Sequence, residues 1–228
     1  MTSPARGDLE TLAHADADAD PENETDGRRR RGNRTRESIL QEAADLASVD
    51  GLEGLTIGRL AAELRISKSG LFAHFGSKEE LQLATIAAAR RRFVDHVIRP
   101  SRHLPCGRGR LEALLDDWLG YYGREIFRGG CFFHTVKAEF DSRASSPVRD
   151  VVLEDTRQFV ALLAREVRKA QEAGDLDPAA DPDQIAFELD ALGTAAHQHF
   201  QLWHDPASFD RARTAIRVRL DGLTPSAA

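Results

Sequence analysis

Cysteine is nearly absent: Cys106 and Cys131 are the only two in 228 residues. Two thiols make no disulfide framework, and reduced thiols in a cytoplasm are the simpler reading. No apolar run approaches the roughly 20 residues needed to cross a bilayer, and the polar N-terminus does not resemble a signal peptide, so no membrane role is expected. Proline is scarce, at 9 residues, and β-branched runs are few, which favours helix. Catalytic signatures are missing as well. There is no P-loop, no Rossmann glycine pattern, no HExxH and no GxSxG. Glu139 and Asp141 near His134 do not amount to a convergent acid, base and nucleophile. His197 and His199 stand two apart, on different helix faces. Cys131 and His134 share a face but lack further ligands. Neither an enzyme, a cofactor nor a metal is expected.

What is present is charge, sorted along the chain. The net charge of −6 weighs against a nucleic-acid partner only as a total. Residues 8–26 contain eight acids and no Lys or Arg; Arg28, Arg29, Arg30, Arg31, Arg34 and Arg36 follow. The acidic stretch has no apolar periodicity to offset ordering entropy, so residues 1–32 are expected to be a disordered tail. Its arginines read as a basic arm for phosphates or a minor groove, against the alternative of a solvated charge run.

With 41% hydrophobic residues the rest can bury a core. Apolar periodicity predicts nine helices. The first covers about 35–50, with Ile39, Ala43, Leu46 and Ala47 inward and Gly51 as its stop. A fourth, capped by Ser77, covers about 78–99 and ends at Pro100; its Arg90, Arg91 and Arg92 read as solvated. The fifth and sixth cover about 110–127 and 131–140. Ser146-Pro147, Asp181-Pro182 and Asp205-Pro206 open the last three. The eighth carries Ile185, Leu189, Leu192, Ala196 and Trp203 on one stripe, and further apolar or small residues, Phe187, Ala195 and Phe200, on other sides. A helix apolar on more than one face needs more than one neighbour.

The second and third helices carry the most specific signal. Residues 51–81 read GLEGLTIGRLAAELRISKSGLFAHFGSKEEL. Thr56 and Ser67 each precede a short apolar-patterned segment, and their hydroxyls suit the N-cap. Two helices joined by so short a turn predict a helix-turn-helix. Ala61 allows a close crossing over Ile66, Leu71 and Phe75, leaving Lys68, Ser69, Gly70 and His74 on a face that fits a major groove.

Thr56, Ile57, Leu60, Ala61, Ile66, Ser67, Leu71, His74, Phe75, Ser77, Lys78, Glu79 and Leu81 together resemble the DNA-binding domain of the TetR family of transcriptional repressors. Arg65 departs from that pattern where a turn glycine is usual, so a non-glycine residue is expected at positive φ. Phe72 replaces a tyrosine and loses its hydroxyl. The resemblance implies an all-α protein, with a three-helix helix-turn-helix domain over 33–80 and a larger helical ligand-binding and dimerisation domain over 81–228. It implies a cytoplasmic, ligand-responsive repressor, binding a palindromic double-stranded DNA operator as a homodimer and released by a small-molecule effector. The sign of control depends on where the operator lies. Thr56, Ser67, Lys68, Ser69, Gly70, Phe72, His74 and Lys78 are the expected DNA-binding residues. Trp118, Tyr121, Tyr122, Phe132, His134, Phe140, Phe159 and Phe200 are candidates to line the effector pocket, or simply to fill the core. The alternative function is a helical interaction protein that keeps the motif's shape without specific DNA binding, with Arg65 and Phe72 as its signature.

Overall fold

The computed structural model describes Leu9 and residues 26–225 apart from Glu125; the side chains of 26–31 and 33 lie outside that description. The tail and its expected basic arm therefore fall mostly outside the described residues. Among the described residues every regular element is a helix: α1 Asp26–Gly54, α2 Ile57–Glu63, α3 Lys68–Phe75, α4 Lys78–Phe93, α5 Arg108–Gly123, α6 Phe132–Phe140, α7 Pro147–Glu172, α8 Pro182–Trp203 and α9 Ala207–Asp221. A π-helical turn, Val94–Ile98, extends α4, and a 3-10 turn, Pro100–His103, follows it. Two expected boundaries move. The first helix begins at Asp26, so residues 26–32 are helical where a disordered tail was expected. The fifth ends at Gly123 rather than near residue 127, where a poor helix former gives way to the Arg124 cap.

The chain divides into two compact units, Met1–Arg92 with Ile126–Glu154, and Phe93–Glu125 with Asp155–Ala228. In the first, α1 buries Ile39, Leu40, Ala43, Ala44, Leu46 and Ala47. It breaks at Gly51, whose φ of 74° and ψ of 171° only glycine adopts readily. The single turn that follows is capped by a residue 87 positions away. The Glu139 carboxylate of α6 accepts from Leu52 N–H at 2.7 Å and Glu53 N–H at 2.9 Å. A Cβ on Gly51 would lie 2.5 Å from that carboxylate.

Other bonds continue this seam. Gly129 N–H donates to Ser48 Oγ at 2.8 Å, and Thr135 Oγ1 donates to Ser48 O at 2.9 Å. Arg92 pairs with Asp45 at 3.1 Å, donates to Ile126 O and lies over the Phe127 ring. Arg90 is buried, at 5% exposure. Of the three arginines expected to be solvated only Arg91 is exposed; the other two turn inward on α4.

In the second unit α7 buries Leu163, Val167 and Ala170, and α9 buries Phe209, Ala212, Ile216 and Leu220. On α8, Ile185, Ala186, Leu189, Gly193 and Ala196 face inward. Trp203 does not share that stripe as expected but is 63% exposed. Gly193 has a specific reason to lack a side chain: its Cβ would lie 2.3 Å from the ring of Trp118.

Candidate nucleic-acid interface

The helix-turn-helix is built by local bonds. Thr56 Oγ1 accepts from Arg59 N–H at 3.2 Å and opens α2. Ser67 Oγ accepts from Gly70 N–H at 3.1 Å and opens α3. Between them Ile66 N–H reaches Ala61 O at 3.0 Å and Arg65 N–H reaches Ala62 O at 3.2 Å. That paired pattern closes a helix through a left-handed residue, and Arg65 takes the role at φ 55°. The expected positive φ on a non-glycine residue is therefore present, stabilised by the two bonds it completes. Leu60, Ala61, Leu71 and Phe75 are buried between the helices. Leu60 and Leu71, fully enclosed, each contribute about 1.5–3 kcal/mol. Ile66, expected among them, is 38% exposed.

The face left outward on α3 holds Lys68, Ser69, Gly70, Phe72, Ala73 and His74, all exposed. Lys68 lays its stem beside Gly58, whose missing Cβ would meet Lys68 Cε at 3.4 Å. No acidic partner holds Lys68 among the described residues. Its ammonium is thus free of internal neutralisation, as a phosphate or base-edge contact requires. Ser69 Oγ lies 3.3 Å from Ser67 Oγ. His74 flanks the ring of Phe75, and Arg36 of α1 stands over the same ring, 5.0 Å from its centroid. Arg36 lies outside the expected set; its only signal in the sequence was membership of the arginine run.

Lys78 is placed differently from the rest. Its Nζ donates to Glu53 O at 3.0 Å and to Glu53 Oε2 at 2.9 Å. Gln82, one turn on, donates to Leu52 O at 2.8 Å. The two side chains thus hold the far end of the turn whose near end Glu139 caps. The bond from Lys78 is the main reason the Glu53 carboxyl lies below its usual value, with burial opposing it and Gln82 and Arg143 assisting.

The aromatic candidates divide between the units. Phe132, His134 and Phe140 stand on α6, where Phe132 packs 5.8 Å from Phe127. Trp118, Tyr121, Tyr122, Phe159 and Phe200 belong to the second unit. There Trp118 meets Phe159 at 4.8 Å, and Phe93 bridges Phe159 and Tyr121 at 5.2 and 5.4 Å. Tyr122 lies 4.4 Å from the buried His197, and Phe200 lies 5.0 Å from Phe209. Phe93, His197 and Phe209 complete this cluster and were not among the candidates. A groove of about 290 Å³ in the same unit is lined instead by Arg108, Glu112, Asp116, Arg213 and Arg217 with apolar neighbours. Four of the groove's five charged side chains are paired with one another, Arg108 with Glu112 and Arg213 with Asp116.

A second outward surface runs along α8. Phe187, Leu202 and Trp203 are 65%, 63% and 63% exposed, and Ala191 and Ala195 are exposed between them. Val218 on α9 is likewise 65% exposed. No helix among the described residues is long and apolar enough to cross a membrane.

Comparison with known proteins gives a consistent picture. Residues 39–85 match the family model for bacterial regulatory proteins of the tetR family, and residues 107–216 match that for the tetracyclin repressor-like C-terminal domain. The HTH-type transcriptional regulator TcmR of Streptomyces glaucescens is 26% identical over 203 residues, covering 87% of this chain and 86% of TcmR. A TetR transcriptional regulator from Chloroflexus aurantiacus superposes with a TM-score of 0.76 at 25% identity, covering 87% of this chain and all of that one. AibR, solved in complex with isovaleryl coenzyme A and operator DNA, shares the fold with a TM-score of 0.62 at 20% identity, covering 84% of this chain and 99% of its own.

Proposed function

Because the chain belongs to the TetR family of bacterial regulatory proteins and is a DNA-binding transcriptional regulator, we propose that it is a cytoplasmic repressor that binds a palindromic operator as a homodimer and is released by a small molecule. The observation that carries this reading is the outward face of α3. Lys68, Ser69 and Gly70 stand exposed in the first turn, on a helix fixed by Ser67, Leu71 and Phe75. Thr56, Ser67, Lys68, Ser69, Gly70, Phe72, His74 and Lys78 are the proposed DNA-binding residues. Phosphate contacts set the register, and the α3 side chains read base edges.

One such helix reads too few base pairs for specificity, and a two-fold dimer doubles the site. The exposed stripe of Phe187, Ala191, Ala195, Leu202 and Trp203 supports α8 as the dimer surface. From Phe187 to Trp203 it runs about 24 Å along the helix. The effector is proposed to bind in the second unit, among Trp118, Tyr121, Tyr122, Phe159 and Phe200. By linkage, an effector that releases the operator and the operator itself would weaken each other's binding equally.

A gel-shift with the DNA upstream of the chain's own coding sequence tests the regulator reading; no retarded complex at low salt would sink it. Sedimentation tests the dimer. Trp203→Glu on an exposed site should give a folded monomer with weakened operator binding, and a wild-type chain that is monomeric at micromolar concentration overturns the dimer.

A further inference from the structure

We infer that Phe72 reads the 5-methyl group of a thymine in the operator major groove. The inference rests on the proposed DNA-binding reading and deepens it to a specificity-determining contact. Phe72 is 53% exposed on an eight-residue helix whose other two large apolar residues, Leu71 and Phe75, are buried. It has no ring partner among the described residues. Packing within the chain therefore does not explain it.

Its position narrows what covers it. Phe72 lies four residues after Lys68 and three after Ser69, so all three share one side of α3. The neighbouring outward positions are Ser69, Gly70 and Ala73, all small, which lets this side of the helix settle close to a groove floor. Lys68, without an acidic partner, and Arg36 beside Phe75 give the surroundings a positive charge that complements DNA. An interaction with phosphate gains nothing from a ring that has no donor. Base edges in the major groove are donors and acceptors, with one apolar exception, the thymine methyl. Among base edges, the thymine methyl is the group against which a ring brought to that floor beside Lys68 buries the most apolar surface.

The test uses the full chain and the operator defined by footprinting on its upstream DNA. Each thymine is replaced singly by uracil, which removes the methyl and keeps the pairing edge. Wild type should bind about fourfold more weakly at one position in each half-site, the worth of one buried methyl. In Phe72→Ala, checked for helicity, the same replacement should change nothing. Phe72→Leu, which keeps apolar surface, should retain part of the discrimination. Operator binding that is indifferent to every uracil overturns the inference and leaves the regulator reading standing. So does a uracil effect that persists undiminished in Phe72→Ala, since another residue then reads the methyl. Absence of any operator complex in wild type removes the regulator reading, and this inference with it.

Discussion

The seam between α1 and α6 and the outward face of α3 lie in one compact unit and are made in opposite ways. The seam joins residues 81 to 87 positions apart, and nearly every polar group in it has a partner within the chain. On the α3 face, Lys68 and Phe72 have none among the described residues. The seam is finished by folding, whereas the face is left to be finished by something else. A change in the seam should therefore register as lost stability, and a change on the face as lost binding. Lys78, on α4, would show both kinds of effect, since it is a proposed phosphate contact and also ties α4 to Glu53. Its removal cannot separate the two effects, and Lys68 is the cleaner probe.

The largest effect is expected at Gly51. Gly51→Ala puts a Cβ into the Glu139 carboxylate and forces a strained φ, at a cost of about 2–4 kcal/mol. Chemical denaturation would show it as a lower midpoint with unchanged slope. A variant within a few tenths of a kcal/mol of wild type would mean that the seam is not a stabilising element. Next comes Lys68→Ala, expected to weaken operator binding about tenfold while leaving Tm unmoved. Titration at two salt concentrations measures the loss, and equal affinity of variant and wild type at both would remove Lys68 from the interface.

The smallest effect is a pH dependence. Glu53 has a carboxyl held below its ordinary 4.5 in the folded chain. The Lys78 bond thus adds stability that is present above about pH 4.5 and is lost as pH falls through the lower folded value. At 44% exposure its worth is only a few tenths of a kcal/mol. The Tm difference between wild type and Glu53→Gln should shrink from pH 7 toward pH 4, and a difference constant with pH would contradict the assignment.

What the sequence made legible was what local chemistry decides. Thr56, Ser67, Ser77 and Asp181 cap the helices they were expected to open. Arg65 takes the positive φ that the family resemblance implied for its position. The surplus of apolar residues around α8 resolves into an inward stripe and an outward one. Partners brought together from distant positions were hidden. Nothing near Gly51 announces Glu139, and Arg90 reads as a surface charge until α4 is packed. Trp203 was misplaced because helical spacing tells which residues share a face but not which face is buried. The aromatic candidates were chosen by type alone, so they include α6 residues of the other unit and omit Phe93, His197 and Phe209.

Gly193 has a consequence at the level of the codon. Trp118 presses its ring where a Cβ would stand, and at 3% exposure, wedged against Phe159 and Tyr122, it has nowhere to retreat. Every single-base change in the first two positions of a glycine codon yields a residue with a Cβ or a stop. No one-step missense mutation at this position is therefore mild, since each must displace the indole from a close-packed interior. In a saturation library screened for folded protein, position 193 should return glycine almost alone, while Ala191 and Ala195 on the outward side of the same helix tolerate larger residues.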